Sequence, residues 1–302
     1  MKSKFGSKSG NGGRSGVSGA LSRSKHSTPR AKDTLRELDV RPSKERGQNF
    51  LIREEVPEQI VAFGNAPLDS AIVEIGPGTG ALTKHLSAWK DLTVVEIEER
   101  FCPPLIAAYP HIKVINEDVR KVDLSTLLPD TTPPKRLIVF GNIPYSFSSE
   151  IVFHLLKHRS AVEYATLMTQ REFAERIAAA HGSRSYGSLS VAVQLWADVT
   201  LGPVVPGDSF HPPTKVESQV VKLTFRETPK VAIDDFEFFE RVVRASFSQR
   251  RKKLTNSLAA STRWTKEEVE AALTTLGIRL DARPEQLSVE QFGGLAKILS
   301  RH

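Results

Sequence analysis

Short apolar runs, separated by turns and by stretches of helical spacing, set the pattern of the chain from about residue 41. Ala71-Ile-Val-Glu-Ile75 is followed by the turn Gly76-Pro-Gly-Thr-Gly80 and by helical spacing over 81–89. Further strands are predicted at Leu92 to Ile97, at Lys113 to Asn116 and at Arg136 to Phe140. Helical spacing returns over 149–158 and 170–180, and apolar runs at 162–168 and 216–225 could complete a sheet. Strands that alternate with helices predict an α/β fold with a doubly wound, Rossmann-like sheet. After about residue 230 the signals are all helical. Phe236 to Leu258 reads as one amphipathic helix, while Thr265-Lys-Glu-Glu268 and Ser288-Val-Glu-Gln291 read as starts of two more. The expected division is a disordered basic tail over 1–40, an α/β domain over 41–228 and a small all-helical domain over 229–302.

Composition narrows the picture. The 302 residues are 39% hydrophobic and 25% charged, enough to bury a sizeable core. The apolar runs are far shorter than the roughly 20 residues of a membrane span, so a membrane protein is not expected. Cys102 is the one cysteine, which excludes an internal disulfide or a cysteine zinc cluster and suits a reducing, cytoplasmic setting. The net charge of +7 is misleading as a whole-chain signal, because residues 1–32 carry eight Lys or Arg and no acid. The folded part is nearly neutral, so a basic face on it has to come from local clustering. The tail is read as RNA-attracting or as a bland extension. Organelle targeting is a minor alternative, since six glycines in the first 19 residues oppose an amphipathic targeting helix.

Three motifs suggest chemistry. Glycines just past a strand, here Gly76 and Gly78, let backbone approach a ligand, and Glu96, ending the next strand, can accept from ribose hydroxyls. This also fits a dinucleotide fingerprint and an NAD oxidoreductase, although Pro77 speaks against that rival. Asp118, after the third strand, is placed to accept from an adenine amino group, and reads equally well as a helix cap. Asn142-Ile143-Pro144-Tyr145, after the fourth strand, is the most telling. The lone pair of an exocyclic amine is delocalised into its ring, so alkylating it requires acceptors on its two hydrogens that turn the lone pair outward. The Asn142 oxygen and the Ile143 carbonyl are suitable acceptors, Pro144 stiffens the turn, and Tyr145 offers a ring on which a flipped base can stack.

With these residues in view, the chain resembles the ribosomal RNA adenine dimethyltransferases over roughly residues 44 to 300. Gly47-Gln-Asn-Phe-Leu51 is similar to the family's amino-terminal motif, and the resemblance implies contacts of Asn49, Leu51, Gly76, Glu96, Asp118 and Asn142 with S-adenosylmethionine. Phe210-His-Pro-Pro-Thr-Lys-Val-Glu-Ser218 is similar to a further motif, whose leading aromatic, here Phe210, is implied in the base pocket. Phe247 to Leu258, with Arg250, Arg251, Lys252 and Lys253 as candidate RNA contacts, is similar to a basic helix of the small-subunit branch, and Arg184 to Ser190 also resembles that branch. Ser146 stands where that pattern commonly has Asn, and Arg46 where Phe is frequent.

The resemblance implies dimethylation of two adjacent adenines in small-subunit ribosomal RNA by a monomer acting on the immature subunit. The alternatives are a macrolide-resistance enzyme acting on large-subunit RNA and an assembly factor acting mainly by binding. No metal is expected. His154 and His158 have metal-capable spacing but no third ligand, and Cys102 reads as packing.

Overall fold

The computed structural model describes Met1 and residues 31–43, 47–132, 135–249 and 252–300. Nine strands are present among them: β1 Phe50–Leu51, β2 Ala71–Ile75, β3 Asp91–Glu96, β4 Lys113–Asn116, β5 Leu137–Asn142, β6 Val162–Gln170, β7 Ala197–Val205, β8 Phe210–His211 and β9 Ser218–Phe225. Seven form one sheet in the order β4-β3-β2-β5-β6-β9-β7, with β2 to β6 parallel and β9 antiparallel to both of its neighbours. The expected doubly wound fold is therefore present. The chain leaves β2 toward β4 on one side and resumes at β5 on the other. The carboxyl ends of β2 and β5 thus lie together at the switch point, where such sheets bind ligands.

Both faces of the sheet are covered, as its apolar strands require. Along β2, Ala71, Val73 and Ile75 enter one core with Val139, Leu155 and Leu167, while Ile72 enters the other with Ile60, Leu86 and Phe140. The strand ends also need close approach. A Cβ on Gly141 would come within 2.9 Å of the Ile75 carbonyl oxygen, so a side chain there would push β5 away from β2. A third core unites the carboxyl-terminal helices with Tyr186, Val191 and Leu195, the last two from the helix Ser188–Trp196, and so joins the helical unit to the α/β part. The capping boxes at Thr265/Glu268 and Ser288/Gln291 both form reciprocally, as expected.

Two expectations are corrected. The tail over 1–40 is too long, because Ala31–Glu37 is a helix. Leu35 and Val40 are buried in the second core, and the Asp39 carbonyl accepts from Arg100 at 2.9 Å. The helix expected over 236–258 is broken. It ends at Ser246, continues as a 3-10 turn over Phe247–Gln249, and a new helix runs Leu254–Ser261. Serine hydroxyls compete for the backbone at this break: Ser246 donates to the Val242 carbonyl at 2.7 Å and Ser248 to that of Ala245 at 2.7 Å. The new direction lets Leu254 and Leu258 reach the third core.

Candidate active site

A cleft of about 230 Å³ opens at the switch point. The glycine turn forms one wall, the ends of β3 and β4 the next, the turn after β5 the third, and Gly47–Leu51 crosses it as a strap. The strap is held by β1, which pairs antiparallel with β8 so that Leu51 faces Phe210.

Gly76 has φ +65°, the left-handed region that favours glycine, and nothing lies within 4 Å of where its Cβ would be. The backbone there is bare toward the cleft. Glu96 is only 4% exposed, and its carboxylate accepts from the Gly78 amide at 2.9 Å and the Glu98 amide at 2.8 Å. Burial pushes its pKa up against those two bonds. Beneath it Glu74, mid-strand in β2, is 1% exposed, and burial pushes it up to about 8 despite Thr83 and with help from the Glu96 charge. At neutral pH it is mainly the neutral acid. Its Oε2 is buried with no hydrogen-bond partner.

Asp118 fulfils both of its sequence readings. Its side chain caps the 3-10 turn Val119–Lys121 through the Arg120 amide, and it also lines the cleft. The Arg120 guanidinium, 2.6 Å away, holds it below the usual carboxylate range and lies 4.3 Å from the Phe147 ring centre.

Asn142, at the end of β5, donates through Nδ2 to the Asn49 carbonyl at 3.1 Å. That bond ties strap to turn and engages Nδ2, so Oδ1 is the other polar atom of the side chain. Ile143 donates its amide to the Met168 carbonyl at 3.1 Å, and the half-buried Tyr145 meets Ser218 through its hydroxyl at 2.6 Å. Asn49, Leu51, Gly76, Gly78, Glu96, Asp118, Asn142, Ile143, Pro144 and Tyr145 all line this one cleft.

Phe210 does not join them. Its side chain is 1% exposed, packs with Phe50 and Leu51 in the second core, and is absent from the cleft lining. Pairing with the strap decides this, so Phe210 supports Leu51 from behind. Of the basic cluster, Arg250 and Arg251 lie outside the described residues. Lys252 and Lys253 are exposed in the connection before Leu254, Lys253 at the N-cap position, and not on a helix as expected.

Sequence reading passed over Glu74, Arg120, Phe147 and Ser218. Glu74 carried a signal, a lone carboxylate inside an apolar run, and Ser218 closes the motif that begins at Phe210. The His154 and His158 rings lie 4.4 Å apart, tilted by 48°, with His154 Nε2 at the Val122 carbonyl and His158 beside Asp123. Among the described residues no group of three candidate ligands could hold a metal, and no helix is long and apolar enough to cross a membrane.

The family model for ribosomal RNA adenine dimethylase matches residues 41–301. The chain is 37% identical over 280 residues to a ribosomal RNA small subunit methyltransferase A of Bacillus pumilus, covering 90% of this chain and 96% of that protein. It is 40% identical over 267 residues to the protein of the same name from Syntrophotalea carbinolica, covering 88% and 99%. A crystal structure of a dimethyladenosine transferase from Plasmodium falciparum superposes with a TM-score of 0.68 at 26% identity, covering 83% of this chain and 98% of that one. The glycine turn, the carboxylates ending β3 and following β4, and the Asn-Ile-Pro-Tyr turn thus lie within a match that spans the fold from the strap to the last helix, and the chain belongs to the ribosomal RNA adenine dimethylase family.

Proposed function

We propose that this chain transfers methyl groups from S-adenosylmethionine to the N6 amines of two adjacent adenines in small-subunit ribosomal RNA, twice per base, during maturation of that subunit. The observation that carries the reading is the orientation of Asn142. With its amide nitrogen committed to the strap, its Oδ1 is the atom left to accept from a ligand in the cleft.

The residues present fit the cofactor. The bare backbone at Gly76 admits its amino-acid end, buried Glu96 accepts from ribose hydroxyls, Asp118 accepts from its adenine amine, and Asn49 and Leu51 cover it. When bound, S-adenosylmethionine supplies an electrophilic methyl on a sulfonium. The Asn142 Oδ1 and the Ile143 carbonyl take the two hydrogens of the target amine, freeing its lone pair to point at that methyl. Tyr145 stacks on the flipped base. As N6 gains the methyl it becomes cationic, and its excess proton leaves to solvent, so no general base is required. Asn142 acts again on the monomethyl amine, which has one hydrogen left to direct.

Lys252 and Lys253, with Arg250 and Arg251, form the basic stretch that grips RNA phosphates. Primer extension on ribosomal RNA from cells with and without the protein tests the target, since dimethyladenine stops the polymerase. Protein-dependent stops at adjacent small-subunit adenines are expected. Stops in large-subunit RNA would assign the resistance-type activity, and a growth defect seen only in a binding-deficient variant would favour the assembly role.

A further inference from the structure

Behind the Asn142–Tyr145 turn lies a set of hydroxyl contacts that the reaction as derived does not use. Ser218, the first residue of β9, is 0% exposed and is held from both sides of the sheet, opposite Gln170 of β6 and Val205 of β7. Its Oγ lies 2.6 Å from the Tyr145 hydroxyl. Beside it, Ser148 Oγ is 2.8 Å from Thr169 Oγ1 and donates to the Pro144 carbonyl at 3.1 Å. Thr169 is 0% and Ser148 2% exposed. The turn is therefore moored to β6 and β9 at Ile143, at Pro144 and at the far end of the Tyr145 ring.

A tyrosine held only by its Cβ swings about two side-chain torsions, whereas one tied at its hydroxyl has both ends fixed. A buried hydroxyl left without a partner is unfavourable, so Ser218 favours the ring position that satisfies it. We propose that Ser218 is a positioning residue for methyl transfer. Through the Tyr145 hydroxyl it sets the plane of the ring on which the target adenine stacks, and it matters most for the second transfer, when the bulkier monomethyl amine must enter the same pocket. The proposal rests on the reading of Tyr145 as the base-stacking residue.

The test is single-turnover methyl transfer to small-subunit particles by the full chain, with mono- and dimethyladenosine separated by mass spectrometry. Four variants are compared: Tyr145→Ala, Tyr145→Phe, Ser218→Ala and the double variant Tyr145→Phe/Ser218→Ala. Ser218→Ala and Tyr145→Phe are each expected to slow transfer by roughly 2- to 12-fold, the rate equivalent of one neutral hydrogen bond. Each should also raise the share of monomethyladenosine, with KM for the particle and affinity for S-adenosylmethionine unchanged. The double variant should be no slower than the slower single one, because both remove the same bond. Multiplying losses in the double variant, or a wild-type ratio of products in both singles, would overturn the proposal. If Ser218→Ala fails to fold, Tyr145→Phe alone carries the test, since it keeps the ring and removes only the hydroxyl. Tyr145→Ala separates the two readings. Full activity in that variant would sink the base-stacking reading itself, whereas an inactive Tyr145→Ala beside an unaffected Tyr145→Phe would sink only the role of Ser218.

Discussion

Replacing Asn142 with Ala removes two different things, and the structure lets them be measured apart. The first is the Nδ2 bond to the Asn49 carbonyl at 3.1 Å, an ordinary neutral hydrogen bond in a half-buried place. Its loss should lower stability by about 0.5 to 1.5 kcal/mol and loosen the strap slightly. The second is the Oδ1 acceptor, which acts as the amine rehybridises and which water cannot replace in the same position. Losing such a contact typically costs about 3 to 4 kcal/mol in the transition state, or 10²- to 10³-fold in kcat. The second effect is the larger. Single-turnover transfer from labelled S-adenosylmethionine should thus fall at least 100-fold by that estimate, while filter binding to RNA is unchanged and cofactor affinity falls only a few-fold by calorimetry. Near-wild-type turnover in Asn142→Ala would refute the assigned role. A loss of turnover matched by an equal loss of cofactor affinity would show that the residue serves only the strap.

Three further outcomes follow from the carboxylates and the basic stretch. Burial raises the Glu96 pKa, and the ionised form is the better acceptor for ribose hydroxyls; calorimetry should therefore show S-adenosylmethionine affinity falling as pH is lowered from neutrality, starting above the ordinary carboxylate range, with Glu96→Gln weaker at neutral pH and flat as pH falls. Glu74 is raised to about 8 from 4.5; a raised carboxylate pKa means stability that is complete below the unfolded value and lost as pH climbs through the folded one, so urea unfolding between pH 5 and 9 should show wild type losing stability relative to Glu74→Gln, and parallel curves would contradict the burial argument. Neutralising Lys252 and Lys253 together should lower the slope of log affinity for RNA against log salt by roughly one per lost phosphate contact without touching cofactor affinity; an unchanged slope would move RNA recognition to the amino-terminal basic segment or the cleft.

What could be read in the sequence was local. Gly76, Glu96, Asp118 and Asn142 each sit at or just past the end of a strand visible as an apolar run, and a doubly wound sheet brings such ends together whatever its loops do. The capping boxes at Thr265 and Ser288 are likewise three-residue devices. What could not be read was long-range. Phe210 is buried because it pairs across to Leu51, a partner that no periodicity reveals. Ser218 closes a recognisable motif, but its contact with Tyr145 depends on β9 inserting between β6 and β7. The helix break after Ser246 was hidden because Phe236 to Leu258 keeps helical spacing across it, while serine hydroxyls and the third core redirect the chain. Glu74 stands in plain view inside the apolar run of β2, but only the packing of the folded sheet shows the burial that makes it the most strongly shifted carboxylate of the site.

The central claim is tested most directly by incubating the purified chain with S-adenosylmethionine and unmethylated small ribosomal subunits, then digesting the RNA and analysing its nucleosides by mass spectrometry. The account predicts N6,N6-dimethyladenosine from two adjacent small-subunit positions, and far slower formation of it when Asn142→Ala replaces wild type. Methyl groups found only on large-subunit RNA, or no methylated adenosine at all from a chain that binds the cofactor, would contradict it.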